Sequence, residues 1–134
     1  MADILVVDDK LDVAQPLMLF LEIQGHAVRY ADDGTTGLLE VSKSFPDLIF
    51  LDIEMPKLRG PEMAYRLLVE DAGRERIPIV VLSGVADLES VVEEIGTPYY
   101  LPKPYGLDNL NAILQRALKE RQAPRPRGPM SKAA

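Results

Sequence analysis

The residues of this chain that could do chemistry together are mostly acidic, and they stand where apolar runs stop. Asp8 and Asp9 follow Ile4-Leu5-Val6-Val7, Asp52 follows Leu48-Ile49-Phe50-Leu51, and Glu54 comes two residues later. Ser83 follows Ile79-Val80-Val81-Leu82, and Lys103 comes two residues after the shorter run Tyr99-Tyr100-Leu101. Carboxylates gathered within a few ångströms repel one another unless a hard cation sits among them. Mg²⁺, which takes carboxylate, carbonyl and water oxygens, suits such a set. An ionised Asp can also be a nucleophile and carry a phosphoryl group as an aspartyl phosphate. That transfer asks the protein mainly for in-line positioning and for neutralising charge on the phosphoryl oxygens. A lysine ammonium and a serine hydroxyl can hold the oxygens that a metal does not reach.

Taken singly, each residue has a plainer reading. Asp8-Asp9 could be a solvated loop with Asp9 capping the next helix. Ser83 could be an N-cap, Lys103 a surface lysine, and Asp52 a charged strand end. Their joint placement at successive strand ends is what these readings leave unexplained. His26, the single histidine, covers a strand edge better than it serves as a catalyst. No P-loop, GxGxxG or Ser-His-Asp arrangement is present, and Gly34, Gly37 and Gly60 lack phosphate-loop spacing. The chain has no cysteine, which removes thiolate zinc sites, disulfides and thiol nucleophiles.

The elements that must position these groups follow from periodicity. Continuous apolar runs of four residues mark strands buried on both faces, as in parallel sheets. The interrupted pattern between Gly25 and Asp32 reads as a strand at the sheet edge. Between the strands, apolar residues take helical spacing. Leu17, Phe20 and Leu21 share one face, with Pro16 inside the first turn if that helix starts near Asp12. Met63, Ala64, Leu67 and Leu68 follow Gly60-Pro61, a start signal. Leu88, Val91, Val92 and Ile95 precede Gly96 as a C′ residue, and Leu107, Leu110, Leu114, Ala117 and Leu118 form the last helix. The chain therefore alternates βα five times. Right-handed crossovers fold that pattern into an α/β, doubly wound, five-stranded parallel sheet with helices on both faces. Ligand sites of such sheets lie at the carboxyl ends of the strands, which is where the acidic groups fall.

Length and charge bound the rest. The 134 residues suit one domain, expected over residues 1–121. Residues 122–134, rich in Pro and Arg without apolar periodicity, read as a disordered tail or a truncated linker. From Lys119 onward five basic residues face one acidic, so of the formal net charge of −6 the body carries −10. A body this acidic repels phosphate backbones, so no nucleic acid is expected to bind this domain alone. No run of about 18 apolar residues exists, and the first residues lack a signal-peptide layout. The expectation is a cytoplasmic protein with no membrane partner.

At Ile4-Leu5-Val6-Val7-Asp8-Asp9, at Pro46-Asp47 through Asp52-Ile53-Glu54-Met55-Pro56, at Val81-Leu82-Ser83-Gly84 and at Tyr100-Leu101-Pro102-Lys103-Pro104-Tyr105, the chain resembles the receiver domains of two-component response regulators. The resemblance runs from about Asp3 to Leu118. It implies the flavodoxin-like strand order 2-1-3-4-5 of the family's chemotaxis member. It also implies that Asp52 takes a phosphoryl group from the phosphohistidine of a histidine kinase or a phosphotransfer protein, as in a phosphorelay. By the same resemblance Asp8, Asp9, Asp52 and the backbone carbonyl of Glu54 hold Mg²⁺, while Lys103 and Ser83 contact the phosphoryl group. Tyr100 turns inward when Ser83 moves, and the Lys103–Pro104 bond is cis. Output would pass through the fourth helix, fifth strand and last helix to a downstream protein. Three departures stand out: the second carboxylate of Glu54, Glu94-Ile95-Gly96-Thr97-Pro98 in place of an Ala-Gly-Ala-like turn, and Tyr105 where phenylalanine is more usual.

Three readings of function follow. The first is a stand-alone switch that phosphorylates and dephosphorylates itself without turning over a separate substrate, and so is not an enzyme in the ordinary sense. The second is a receiver module of a longer regulator or hybrid kinase. The third, a Mg²⁺-dependent phosphatase with an Asp nucleophile, needs an Asp-x-Asp motif, whereas Asp52 is followed by Ile53-Glu54.

Overall fold

Successive side chains of a strand point to opposite faces, and each central strand here feeds two cores. The computed structural model describes residues 1–52, 63–84 and 88–126. In chain order the elements are β1 (Asp3–Val7), α1 (Leu11–Ile23), β2 (Ala27–Ala31), α2 (Gly34–Lys43), β3 (Leu48–Asp52), α3 (Met63–Arg74), β4 (Ile79–Ser83), α4 (Leu88–Ile95), β5 (Tyr99–Pro102) and α5 (Leu107–Glu120). The strands form one parallel sheet in the order β2-β1-β3-β4-β5. The α/β architecture and the order 2-1-3-4-5 are those expected.

Alternate residues explain the continuous apolar runs. Leu5, Val7, Ile49, Leu51, Ile79 and Val81 pack with Val41 of α2, Leu68, Val69 and Ala72 of α3, and Val92 and Ile95 of α4. Their neighbours Ile4, Val6, Leu48, Phe50, Val80 and Leu82 pack with Ala14, Leu17 and Leu21 of α1 and with Leu110, Leu114 and Ala117 of α5. Every residue of β3 and β4 is buried. At roughly 25 cal/mol per Å² of apolar surface removed from water, these two layers dominate the stability.

Several helix details depart from expectation. α1 begins at Leu11, so Pro16 lies beyond the first turn, inside the helix. Pro16 has no N–H to offer the Asp12 carbonyl one turn back. Leu67 is 46% exposed, and the inward stripe of α3 runs through Leu68, Val69 and Ala72. Leu107 is also exposed. The turn before β5 is held by Gly96 at φ +78, and by the Thr97 hydroxyl, which donates to the Ile79 carbonyl at 2.6 Å and accepts from the Tyr99 N–H at 3.2 Å.

The segment after α5, expected from residue 122 as a disordered tail or a truncated linker, is described as far as residue 126. Arg121 takes a left-handed conformation that turns the chain out of α5. Beyond it the Gln122 N–H donates to the Tyr99 hydroxyl at 3.3 Å and the Arg125 N–H donates to the Gly96 carbonyl at 2.9 Å. Pro124 is buried. The contacts are made largely by main chain, which apolar patterning cannot register. Residues 127–134 of the expected tail lie outside the described residues. Among the described residues, no helix is long and apolar enough to cross a membrane.

Candidate functional site

Parallel pairing sets the strand ends side by side. Val7 pairs with Leu51, Asp52 with Leu82, and Ser83 with Pro102. Asp8 just beyond β1, Asp52 at the end of β3, Ser83 at the end of β4 and Lys103 just beyond β5 therefore share one end of the sheet. Asp8, Asp52 and Ser83 are buried, at 2%, 7% and 1% exposure, while Asp9 is exposed.

The Lys103 ammonium lies 2.5 Å from Asp52 Oδ2. The Lys103 backbone N–H donates to the Ser83 carbonyl at 2.8 Å, so the end of β4 holds the start of the lysine loop. The Lys103–Pro104 peptide is cis. Asp8 Oδ1 accepts the Lys10 N–H at 2.9 Å, and the Asp8 N–H donates to the Ala31 carbonyl at 3.0 Å. Burial pushes the Asp8 carboxyl above its ordinary range and the charge of Asp9 adds to this, whereas the Lys10 N–H, the Asp52 side chain and the Lys103 charge pull it down. Buried carboxylates of this kind are costly to ionise without a nearby cation.

Asp8, Asp9 and Asp52 offer hard oxygens only, and two of the three are buried and in mutual contact. Among the described residues no three His, Cys, Asp or Glu side chains gather into a cluster that could hold a metal ion unaided. Mg²⁺ commonly takes one or two carboxylates and keeps several waters, and the touching, buried pair Asp8 and Asp52 offers hard oxygens of that kind. Glu54, whose carbonyl was the other expected ligand, lies outside the described residues.

Tyr100 is 38% exposed on β5, where it lines a groove with Glu89, Glu93, Thr97 and Gln122. It thus takes an outward arrangement beside α4. Sequence reasoning missed Tyr30, whose hydroxyl donates to the Asp8 carbonyl at 2.6 Å and so fixes the main chain of the acidic loop. Only its place near the end of β2, paired with Val6, could have hinted at this.

Residues 4–115 match the family described as response regulator receiver domain. The chain is 35% identical over 119 residues to regulatory protein AtoC of Escherichia coli (strain K12), which covers 87% of this chain and 25% of that protein. It is 38% identical over 126 residues to response regulator MprA of Mycobacterium sp. (strain KMS), covering 90% of this chain and 52% of that one. A response regulator receiver domain protein from Clostridium thermocellum superposes with a TM-score of 0.74 at 28% identity, covering 90% of this chain and 97% of that one. The chain thus spans between a quarter and about half of these two curated relatives.

Proposed function

The chain belongs to the response regulator receiver domain family, and from that premise we propose that Asp52 is its phosphoryl acceptor. It is a phospho-accepting domain of two-component signalling, and its membership implies a histidine kinase as phosphoryl donor. The observation that carries the assignment is the Lys103 ammonium 2.5 Å from a buried Asp52 carboxylate. That contact sets a positive charge beside the carboxylate, where negative charge gathers during transfer.

In the transfer, an Asp52 oxygen attacks phosphorus, the bond from phosphorus to the donor imidazole nitrogen breaks, and that nitrogen keeps the electron pair. Lys103 neutralises charge gathering on the phosphoryl oxygens. Asp8 and Asp9, with Asp52, would hold Mg²⁺, which supplies further neutralisation when bound; receiver domains generally bind this ion at such an acidic pocket. Ser83, at the adjacent strand end, donates its hydroxyl to the phosphoryl group. As it shifts, Tyr100 enters the space it leaves, and the face of α4, β5 and α5 changes for a downstream protein. The Glu54 carbonyl would complete the ligand set.

The domain so described turns over no separate substrate and works in the cytoplasm, with residues 1–121 as its receiver body. The lengths of the two curated relatives support a further reading in which this body serves as one module of a longer regulator. The test is intact-mass spectrometry after incubation with acetyl phosphate and Mg²⁺. One added phosphate is expected, absent in Asp52→Asn, and labelling that persists in the variant would overturn the assignment.

A further inference from the structure

We propose that α3 and α4 carry a docking site for the chain that leaves α5, with residues 122–126 as its occupant. The observations come from both partners. On the receiving side are two glycines from different elements. A Cβ at Gly73 of α3 would stand 2.8 Å from the Pro124 carbonyl oxygen, and one at Gly96 would stand 1.8 Å from the Arg125 carbonyl oxygen. Any other residue at either place would meet main chain, which has little freedom to move aside. Gly96 is needed for its positive φ in any case, but Gly73 is not. One residue from the end of α3 glycine has little to offer over alanine, and the seat for Pro124 is the feature that excludes a Cβ there.

On the occupying side the main chain is engaged at both ends. The Gln122 N–H reaches the Tyr99 hydroxyl and the Arg125 N–H reaches the Gly96 carbonyl, with Pro124 buried between them. The Tyr99 hydroxyl in turn donates to Glu120 at 3.0 Å, and the Arg116 guanidinium lies over its ring, 5.2 Å from the centroid. The last turn of α5 and the strap are thereby tied to one phenol.

Because α5 packs on one face of the sheet and α3 and α4 on the other, the strap crosses the end of the sheet remote from Asp52. It couples the C-terminal end of α4 to α5. Gln122 also lines the groove that contains Tyr100, Glu89 and Glu93, so a ligand of that groove meets the strap. A displacement of α4 at Gly96 must move residue 125, and with it the direction in which the chain leaves the domain.

Amide hydrogen exchange, followed by NMR on the full chain, tests the docking. The Arg125 amide should exchange at least about tenfold more slowly than an unstructured one. Gly73→Ala, and Pro124→Asp in which the helices are untouched, should abolish that protection while the α5 amides of Leu110 and Leu114 keep theirs. The melting temperature gives an independent reading by its sign. At this near-terminal helix position with nothing against it, Gly73→Ala should raise Tm by up to about 3 °C. With the strap seated, the gain should be absent in the full chain and should appear when residues 122–134 are removed. An Arg125 amide that exchanges freely in the wild type, protection that survives both substitutions, or an equal gain in Tm with and without the segment would each overturn the proposal.

Discussion

The backbone N–H of Lys103 donates to the carbonyl of Ser83 across 2.8 Å, so the ammonium and hydroxyl sides of the acidic pocket are referred to one another through main chain. Replacing Lys103 therefore removes charge without dismantling the pocket. Charge-assisted contacts are worth about 1.5–3 kcal/mol, and each ~1.4 kcal/mol is tenfold in rate. Lys103→Ala should slow phosphorylation of Asp52 by acetyl phosphate by roughly 10- to 100-fold, with Ser83 still buried. Lys103→Arg should recover only part of this, since a planar fork does not replace a compact ammonium. Rates from intact-mass time courses decide the matter; an unchanged Lys103→Ala rate would show that the pair is purely structural.

Ser83 and Tyr100 should respond together. A two-state switch moves only by the difference in affinity of its states for the phosphoryl group, and Ser83 is the neighbour expected to make that difference. The Tyr100 ring resonances should shift when beryllofluoride and Mg²⁺ are added to the wild type, and stay in place in Ser83→Ala. The same shift in both proteins, or none in either, would separate Tyr100 from Ser83 even with Asp52 as acceptor.

His26 predicts an acid-side loss of stability. Its Nδ1 accepts the Ala2 N–H at 3.0 Å, and burial, then the nearby N-terminal charge, lower its pKa. The unfolded chain therefore binds this proton at higher pH than the folded one. Stability from the neutral ring is complete above about pH 6.5 and is lost as pH falls through the lowered value. His26→Asn, whose amide oxygen can also accept, should lose less Tm than wild type between about pH 7.5 and about pH 5.5. Parallel curves would assign the pH dependence to the carboxylates alone.

Arg29 holds three elements at once. From β2 it pairs with both carboxylate oxygens of Asp3, each at 3.2 Å. It also donates to the Glu40 and Ser44 carbonyls at the end of α2, at 2.8 and 2.9 Å. Lysine cannot reproduce this fork, so Arg29→Lys should cost about 1–2 kcal/mol in urea unfolding, with an unchanged m-value. A loss below about 0.3 kcal/mol would place the whole set among exposed ion pairs of little worth.

Much of this was legible because each central strand is buried on both faces and leaves an unbroken apolar run. Ile49 and Phe50, adjacent in sequence, serve opposite cores, and the same regularity puts Asp8, Asp52 and Ser83 at strand ends. Pro16, Leu67 and Leu107 were less legible, since spacing gives a helix but not the residue at which it starts or how wide its covered stripe is. Tyr30 and residues 122–126 were illegible for a common reason. Each acts on, or through, main-chain carbonyl and amide groups, which every sequence contains and no side-chain pattern displays.

The β5 margin has a consequence for behaviour at high concentration. An uncovered sheet edge templates strand addition and aggregation when it is long and rich in unsatisfied donors. β5 is four residues long, Pro102 has no N–H, and the Tyr99 N–H is already held by the Thr97 hydroxyl. Tyr100 and Leu101 keep amides not bound in this way, and parallel pairing turns one of the two inward to β4, so an incoming strand would find few rungs to climb. The edge nearest the proposed output face is thereby open to side-chain recognition yet closed to amyloid-like growth.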